Sequence, residues 1–405
     1  MEKHAGLKTK LDELFTSLTD KNKGYILIAV SAGWFLSIGL RYTFPSILPF
    51  IRDDLGMTLT LGGILLSAVW FGYAAGQIPG GVLGDKFGEG TILTISTALS
   101  TVCILLMTIS FNFLTLFIAA SLFGIATGLY APHRFTIFTD IYPKNSGTAV
   151  GITMSAGSIG NTVLPAGAAF IAGYFTWRLG FGLLVLPFMI ITVLIFYFVP
   201  TRTSNSQNDS SLFNRKKLLT IVSCIKNSAI TQVVSVHVVM SFATYGFLGF
   251  YPIYLIEIKG MTSSVAAIIF ALYFGFGVII QPVVGYVRDS FGSKISLVGI
   301  TGLVSIGLLS LQFFENLLII ILITLLISYR NGLGVVTNTY IADNLDDEIK
   351  GSGLGIIRTS WTFVGALSPL FVGFISDFSS LNTSFLILAG VSIIGFVLTF
   401  LINDN

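Results

Sequence analysis

The feature that most limits what this chain can fold into is a series of twelve long apolar runs, at about 24–50, 59–84, 91–110, 114–139, 148–172, 180–200, 228–255, 263–287, 295–313, 317–341, 351–375 and 385–402. About 20 predominantly apolar residues suffice to cross the hydrocarbon core as a helix. In lipid the backbone can satisfy itself only within helices or closed barrels. The runs therefore predict an all-α integral membrane protein with twelve transmembrane helices. Composition agrees, since 10% of residues are charged where soluble proteins carry about 25%.

Between the sixth and seventh runs lies TRTSNSQNDSSLFNRKK (201–217), a polar stretch that reads as a linker. The expected organisation is an N-terminal segment (1–23), a six-helix bundle (24–200), a linker (201–227) and a second six-helix bundle (228–405). Residues 1–23 are polar, and the run after them is too long for the h-region of a signal peptide. Leu7, Leu11, Leu14, Phe15 and Leu18 share one helical face, so this lead-in reads either as a surface-lying helix or as a polar tail.

Orientation follows from the basic residues. With the N-terminus inside, the inner segments hold Lys3, Lys8, Lys10, Lys21, Lys23, Lys86, Lys144, Arg202, Arg215, Lys216, Lys217, Lys226, Arg288, Lys294 and Lys350, and the outer ones only Arg52, Arg178 and Lys259. Both termini are expected to be cytoplasmic, in a multi-pass protein of the cell membrane. The remaining basic residues, Arg41, Arg134, Arg330 and Arg358, fall within spans, whereas every Asp and Glu falls in a loop, a tail or near a helix end.

The two halves superpose with a constant shift of 204 residues. Gln77 meets Gln281, Gly81 meets Gly285, Asp85 meets Asp289, Gly88 meets Gly292, Gly128 meets Gly332, Gly147 meets Gly351, Gly151 meets Gly355 and Pro165 meets Pro369. An unbroken register of this kind implies two parallel six-helix repeats related by an axis along the membrane normal, the arrangement used for alternating access. Its best-matched segment is the short loop GGVLGDKFGEG (80–90) with its partner VGYVRDSFGSK (284–294). Gly81 and Gly285 allow close helix approach. Asp85 and Asp289 can take a basic side chain or a helix N-terminus.

In these loops the chain resembles the major facilitator superfamily, whose signature is Gly, three residues, Asp, a basic residue, any residue, Gly, then a basic pair. The first copy keeps Gly81, Asp85, Lys86 and Gly88 but has Glu89 and Gly90 for the basic pair; the second keeps Gly285, Asp289, Gly292 and Lys294, with Ser290 for the basic residue and Arg288 before the Asp. The resemblance covers the whole chain. It implies that the first, fourth, seventh and tenth spans line a central cavity, and that Asp140 joins a gate network around Asp85 and Lys86. Within the superfamily, Arg41 followed by Pro49, and Pro132, Arg134 and Tyr142-Pro143, look like the organic-anion:cation symporters, which carry an arginine in the first and fourth spans.

An arginine near the middle of a bilayer helix costs roughly 2.5–3.5 kcal/mol even on insertion scales. At 1.5 Å per residue, Arg41 lies ~13 Å and Arg330 about 20 Å below the outer edges of their spans. Tyr130 is one turn before Arg134, while Trp34 and Ser37 precede Arg41 on its face. Tyr245, the repeat partner of Arg41, is expected to face it. A planar guanidinium with five donors suits carboxylate, phosphate or sulfate groups. The expected substrate contacts are thus Arg41, Arg134, Arg330, Tyr130, Tyr245 and Trp34. Expected gate residues are Gly81, Asp85, Lys86, Gly88, Asp140, Gly285, Asp289, Gly292, Asp343 and Arg358, with Asp343 as a partner for Arg358. His133 and His237 are the intramembrane groups that titrate near neutrality, and read either as proton carriers or as hydrogen-bonded packing residues.

The expected activity is secondary transport of a small organic or inorganic anion by exchange or uniport, without metal, cofactor or nucleic acid, as a monomer in the bilayer. Proton-coupled organic-anion symport, efflux of a drug or metabolite, and a non-transporting receptor on the same fold are the alternatives. An enzyme is not expected, because no nucleophile–base set, metal cluster or phosphate loop stands in the sequence.

Overall fold

A computed structural model describes residues 18, 20, 22–203, 228–345 and 350–402. The expected lead-in face and most of the expected linker lie outside the described residues. Among the described residues twelve membrane-length helices follow one another: α1 (Lys23–Leu55), α2 (Leu59–Phe87), α3 (Glu89–Thr108), α4 (Phe113–Ile141), α5 (Ser146–Tyr174), α6 (Trp177–Phe198), α7 (Ser228–Glu257), α8 (Ser263–Phe291), α9 (Ser293–Ser310), α10 (Leu317–Asp343), α11 (Lys350–Phe378) and α12 (Leu381–Thr399). Eleven are long and apolar enough to span a bilayer on that ground alone. The exception, α5, is rich in Gly, Ser, Thr and Asn. It is sheltered between α1, α6 and α8, so its small polar groups meet protein as well as lipid.

The 204-residue shift seen in the sequence is a shift of structure. Leu59–Phe87 maps onto Ser263–Phe291, and Ser146–Tyr174 onto Lys350–Phe378, with no change of length. The helix starts repeat with their chemistry: Thr58 and Thr262 cap α2 and α8, Asn112 and Asn316 cap α4 and α10, and Thr176 and Ser380 cap α6 and α12. Each cap side chain accepts an otherwise orphaned N–H of the first turn. Positive φ recurs too, at Gly56 (61°) and Gly260 (65°), and at Gly88 (92°) and Gly292 (86°). Only glycine takes such angles without a steric cost, which explains the glycines that close both copies of the α2–α3 and α8–α9 loop.

Helices α2 and α4 approach closely over a double stripe of small residues. A Cβ on Gly72 would stand 2.5 Å from the Ser121 oxygen, and one on Gly76 2.3 Å from the Ile125 oxygen, while Gly124 and Gly128 serve in return. This close backbone approach is how helices associate where lipid supplies no hydrophobic drive. Lower on α2, Gly80 is tight against Leu129 and Gly84 against the His133 ring. Gly285 has room, its nearest neighbour being Val335 at 3.9 Å.

The two sets of six helices meet mainly through α2 with α11 and α5 with α8. At the face opposite the chain ends the junction is tight. Arg52 of α1 pairs with Glu257 of α7 at 2.6 Å. Asp377, at the end of α11, accepts the backbone N–H groups of Leu59 (3.0 Å) and Thr60 (2.8 Å) at the start of α2. A carboxylate there satisfies two orphan donors and complements the helix dipole. Gly63 lies against the Pro369 oxygen and Gly373 against the Leu59 oxygen, each leaving 2.3 Å for a Cβ.

Two outcomes follow. Gly76→Ala lowers stability by about 1–3 kcal/mol through overpacking, read by thermal unfolding in detergent, while Gly147→Ala, where a Cβ meets nothing within 4 Å, does not. The double variant Arg52→Gln/Asp377→Asn shifts spin-label distances between the far ends of α1 and α7 to longer values; an unchanged distribution rejects the latch.

Candidate functional site

Midway along α1 the Arg41 side chain is 1% exposed, and Arg134 on α4 is 3% exposed. Both are held against aromatic faces. The Arg41 guanidinium carbon stands 3.7 Å from the Tyr73 ring centroid, 5.4 Å from Trp34 and 5.5 Å from Trp70. That of Arg134 lies 3.6 Å from Trp34 and 4.3 Å from Phe135. Because the two share Trp34, their charge centres are at most about 9 Å apart, the sum of the two distances to that ring. Two unit charges at that separation repel by roughly 2 kcal/mol at an effective dielectric of about 20, and cation–π contact offsets this, being worth about 2 kcal/mol or more when desolvated.

Arg330 owes its position to a break. Helix α10 runs as two pieces, Leu317–Ser328 and Arg330–Asp343, meeting at Tyr329. The Ser328 oxygen is taken by the Asn331 side chain (2.9 Å), and Gly332 lets the second piece lie close to Val284. Arg330 therefore opens a half-helix in mid-span, where the partial positive charge of a helix start adds to its own. Its Nη2 donates to Ser241 of α7 at 3.1 Å.

The other hydrogen bonds of these groups are few. Arg41 Nη1 donates to Thr127 (3.3 Å) and Arg134 Nη1 to the Ala131 oxygen (2.8 Å). The Nε of Arg41, of Arg134 and of Arg330 is buried without an acceptor. Among the described residues the ion pairs involve Arg52, Arg178 and Arg288, and none of Arg41, Arg134 and Arg330 has a carboxylate within 4 Å. A buried polar group without a partner costs about 1–3 kcal/mol, more if charged. The cluster thus keeps positive charge and open N–H donors inside the bundle.

A small cavity of about 120 Å³ adjoins it, between α1, α5, α8 and α10, with Trp34, Ser158, Asn161, Gln281 and Asn331 in its lining. The Asn161 side-chain oxygen is buried without a donor. Trp34 is common to cavity and arginine cluster, so a bound molecule can lie across it with an acidic end on the guanidinium groups and a hydroxylated end among amides.

The expected contacts divide. Arg41 and Arg134 converge on Trp34, while Arg330 precedes Asn331, which lines the cavity with Trp34. The Tyr245 ring lies tilted against Trp70 at 4.7 Å, placing it one ring away from Arg41 across the junction. Tyr130 departs from the expectation: its hydroxyl donates to the Val30 oxygen at 2.7 Å and its ring fills the space over Gly33, so it braces α4 on α1. His133 is bonded to the Gly80 oxygen at 2.8 Å and packed on Gly84, and His237 bonds Thr337 (2.7 Å) and stacks on Trp361 (3.7 Å).

Of the expected gate carboxylates, Asp289 and Asp343 find a partner in their own half and Asp140 one just after the first. Asp140 accepts the Thr203 hydroxyl at 2.9 Å, and Arg202 donates to the backbone oxygens of Asp85 and Lys86. Asp289 and Asp343 both pair with Arg288. Asp343 is therefore not the partner of Arg358, because Arg288, one turn from the end of α8, reaches it first. Arg358 instead points to the middle, 5.6 Å from the Phe135 ring of α4. Sequence reading overlooked Trp70 and Tyr73 of α2. Their spacing of three on one face of a glycine-rich helix was the available signal, hidden because only the first, fourth, seventh and tenth spans were expected to line the cavity.

A profile of the Major Facilitator Superfamily matches residues 30–337 and 233–405. The hexuronate transporter of Bacillus subtilis is 23% identical over 359 residues, 84% of this chain and 85% of its own length. A probable galactarate/D-glucarate transporter of the same organism is 21% identical over 388 residues, covering 87% of this chain and 85% of its own. Among solved structures, an inward-facing, occupied bacterial homologue of the human lysosomal transporter Spinster superposes with a TM-score of 0.77 at 14% identity, over 95% of this chain and 97% of that one.

The coupling between Trp34 and Arg134 is measurable. A double-mutant cycle of Trp34→Leu and Arg134→Gln on thermal stability should give about 1–2 kcal/mol; a coupling of zero means that the ring does not hold the charge.

Proposed function

Since the chain belongs to the Major Facilitator Superfamily, we propose that it carries a small organic anion across the cytoplasmic membrane by alternating access, with Arg41, Arg134 and Arg330 as the contacts for the negative charge. The observation that carries this reading is the set of three buried guanidinium groups with unfilled donors and no carboxylate within ion-pair distance. The cargo completes the electrostatics that the fold leaves open. Sugar acids are the candidates of choice: the relatives named for hexuronate and galactarate/D-glucarate transport carry hydroxylated carboxylates, and the amide-lined cavity beside Trp34 suits hydroxyl groups.

Exchange or uniport is the mode we favour over proton symport. Among the described residues no carboxylate lies within 4 Å of the three arginines to take a proton, and both histidines are engaged in hydrogen bonds within the helix packing. The basic residues, fifteen on one side against three on the other, support cytoplasmic termini. With that orientation the Arg52–Glu257 and Asp377 contacts close the outer face. The two sets of six helices then rock as bundles about the cargo, with Gly81, Asp85, Lys86, Gly88, Asp140, Gly285, Asp289, Gly292 and Asp343 setting the inner ends. A monomer suffices, because each repeat finds its partner in the same chain.

The test is uptake of labelled galacturonate and galactarate into proteoliposomes, with counter-anion preload and pH gradient varied. Saturable uptake that counter-anion preload accelerates, or that runs without either gradient, and that falls at least tenfold in Arg41→Gln supports the reading. Uptake driven only by an inward proton gradient overturns the mode, and normal uptake by Arg41→Gln overturns the site.

A further inference from the structure

The three arginines assigned to the cargo leave out a fourth, and its position carries the argument further. Arg358 of α11 reaches toward α4, 5.6 Å from the Phe135 ring, and Arg134 lies 4.3 Å from the same ring. The two charge centres, from opposite halves, are therefore at most 9.9 Å apart, the sum of these distances. No carboxylate among the described residues lies within 4 Å of Arg358, Asp343 being paired with Arg288.

Arg330 and Arg358 also flank a common stretch of α7: Arg330 donates to Ser241, one turn after His237, and His237 sits between α10 and α11 through Thr337 and Trp361. Trp361 is one turn after Arg358 on α11, so the His237–Trp361 stack braces that helix face. In the first half, Arg41 and Arg134 share Trp34 in the same way. Two guanidinium groups thus stand on each half, and Phe135 lies between Arg134 and Arg358 at the junction.

We propose that Arg330 and Arg358 form a second anion subsite, so that the cargo is a small dianion with one acidic group on each half of the transporter. This rests on the anion-carrier reading above and narrows it to a charge class. A dianion tied to both halves answers like-charge repulsion across the junction, which a monoanion lodged on Arg41 and Arg134 leaves in place. It also makes closure around the cargo depend on the second acid group. Arg358 is then a binding residue and not a gate.

Galacturonate and galactarate share a six-carbon hydroxylated chain and differ in having one acid group or two. In proteoliposomes the wild type takes up galactarate at least about tenfold more efficiently than galacturonate. In Arg330→Gln and Arg358→Gln that ratio falls about tenfold, while Arg358→Lys, which keeps the charge, retains most of it. Arg41→Gln loses both substrates. Equal wild-type handling of the two acids, or an equal loss of both in Arg358→Gln, overturns the second subsite while leaving the anion carrier intact. Transport of neither acid, or full transport of both by Arg41→Gln, overturns the anion reading and this inference with it. Should Arg358→Gln fail to reach the membrane, the wild-type ratio and Arg358→Lys decide.

Discussion

Positive charge buried without internal compensation is the constraint from which the rest of this structure follows. Removing a guanidinium from water carries a penalty of several kcal/mol unless it is paired, yet Arg41 and Arg134 are almost fully enclosed with no carboxylate at ion-pair distance. Aromatic faces take the place of counter-ions. Trp34 is clasped by both cations, and Tyr73 and Phe135 take one each. A π-face attracts a cation without consuming its hydrogen-bond donors, so the charge is tolerated while the donors stay open. An internal carboxylate would stabilise the fold more and occupy the place of a ligand.

That requirement dictates how the helices are built around the cluster. Tyr73 comes within reach of Arg41 because α2 lies almost backbone to backbone with α4 over Gly72, Gly76, Gly124 and Gly128. Trp34 fits because Gly157 of α5 has no side chain where the indole nitrogen sits. In the second half, the break at Tyr329 turns an apolar half-helix into a polar one at mid-depth and presents Arg330 at its start. Small residues at the helix contacts and a discontinuity in α10 are thus consequences of one electrostatic arrangement.

The junction between the halves divides its work by height. At the face away from the chain ends, backbone meets backbone at Gly63 and Gly373, and Asp377 holds the start of α2. At mid-depth the contacts are rings, Tyr42 on Phe274 and Trp70 on Tyr245. Ring contacts can be remade around a bound molecule by rotamer changes, whereas the glycine contacts require whole helices to separate.

The sequence by itself determined the helices, their repeat and the burial of the arginines. Apolar run length, the shift of 204 and charge inside apolar runs are local properties that lipid makes decisive. Asp85 with Asp289 and Gly88 with Gly292 were legible because a loop of fixed geometry demands fixed residue types. What only the tertiary structure decided was partnership. Tyr130 looked like a cargo contact until its hydroxyl was found on the Val30 oxygen, Asp343 belonged to Arg288 instead of Arg358, and Trp70 and Tyr73 entered the site from a helix thought to stand aside. Helical periodicity states which residues share a face, but the direction of that face depends on rotation and close approach. These are set by glycines several helices away, and no local pattern encodes them.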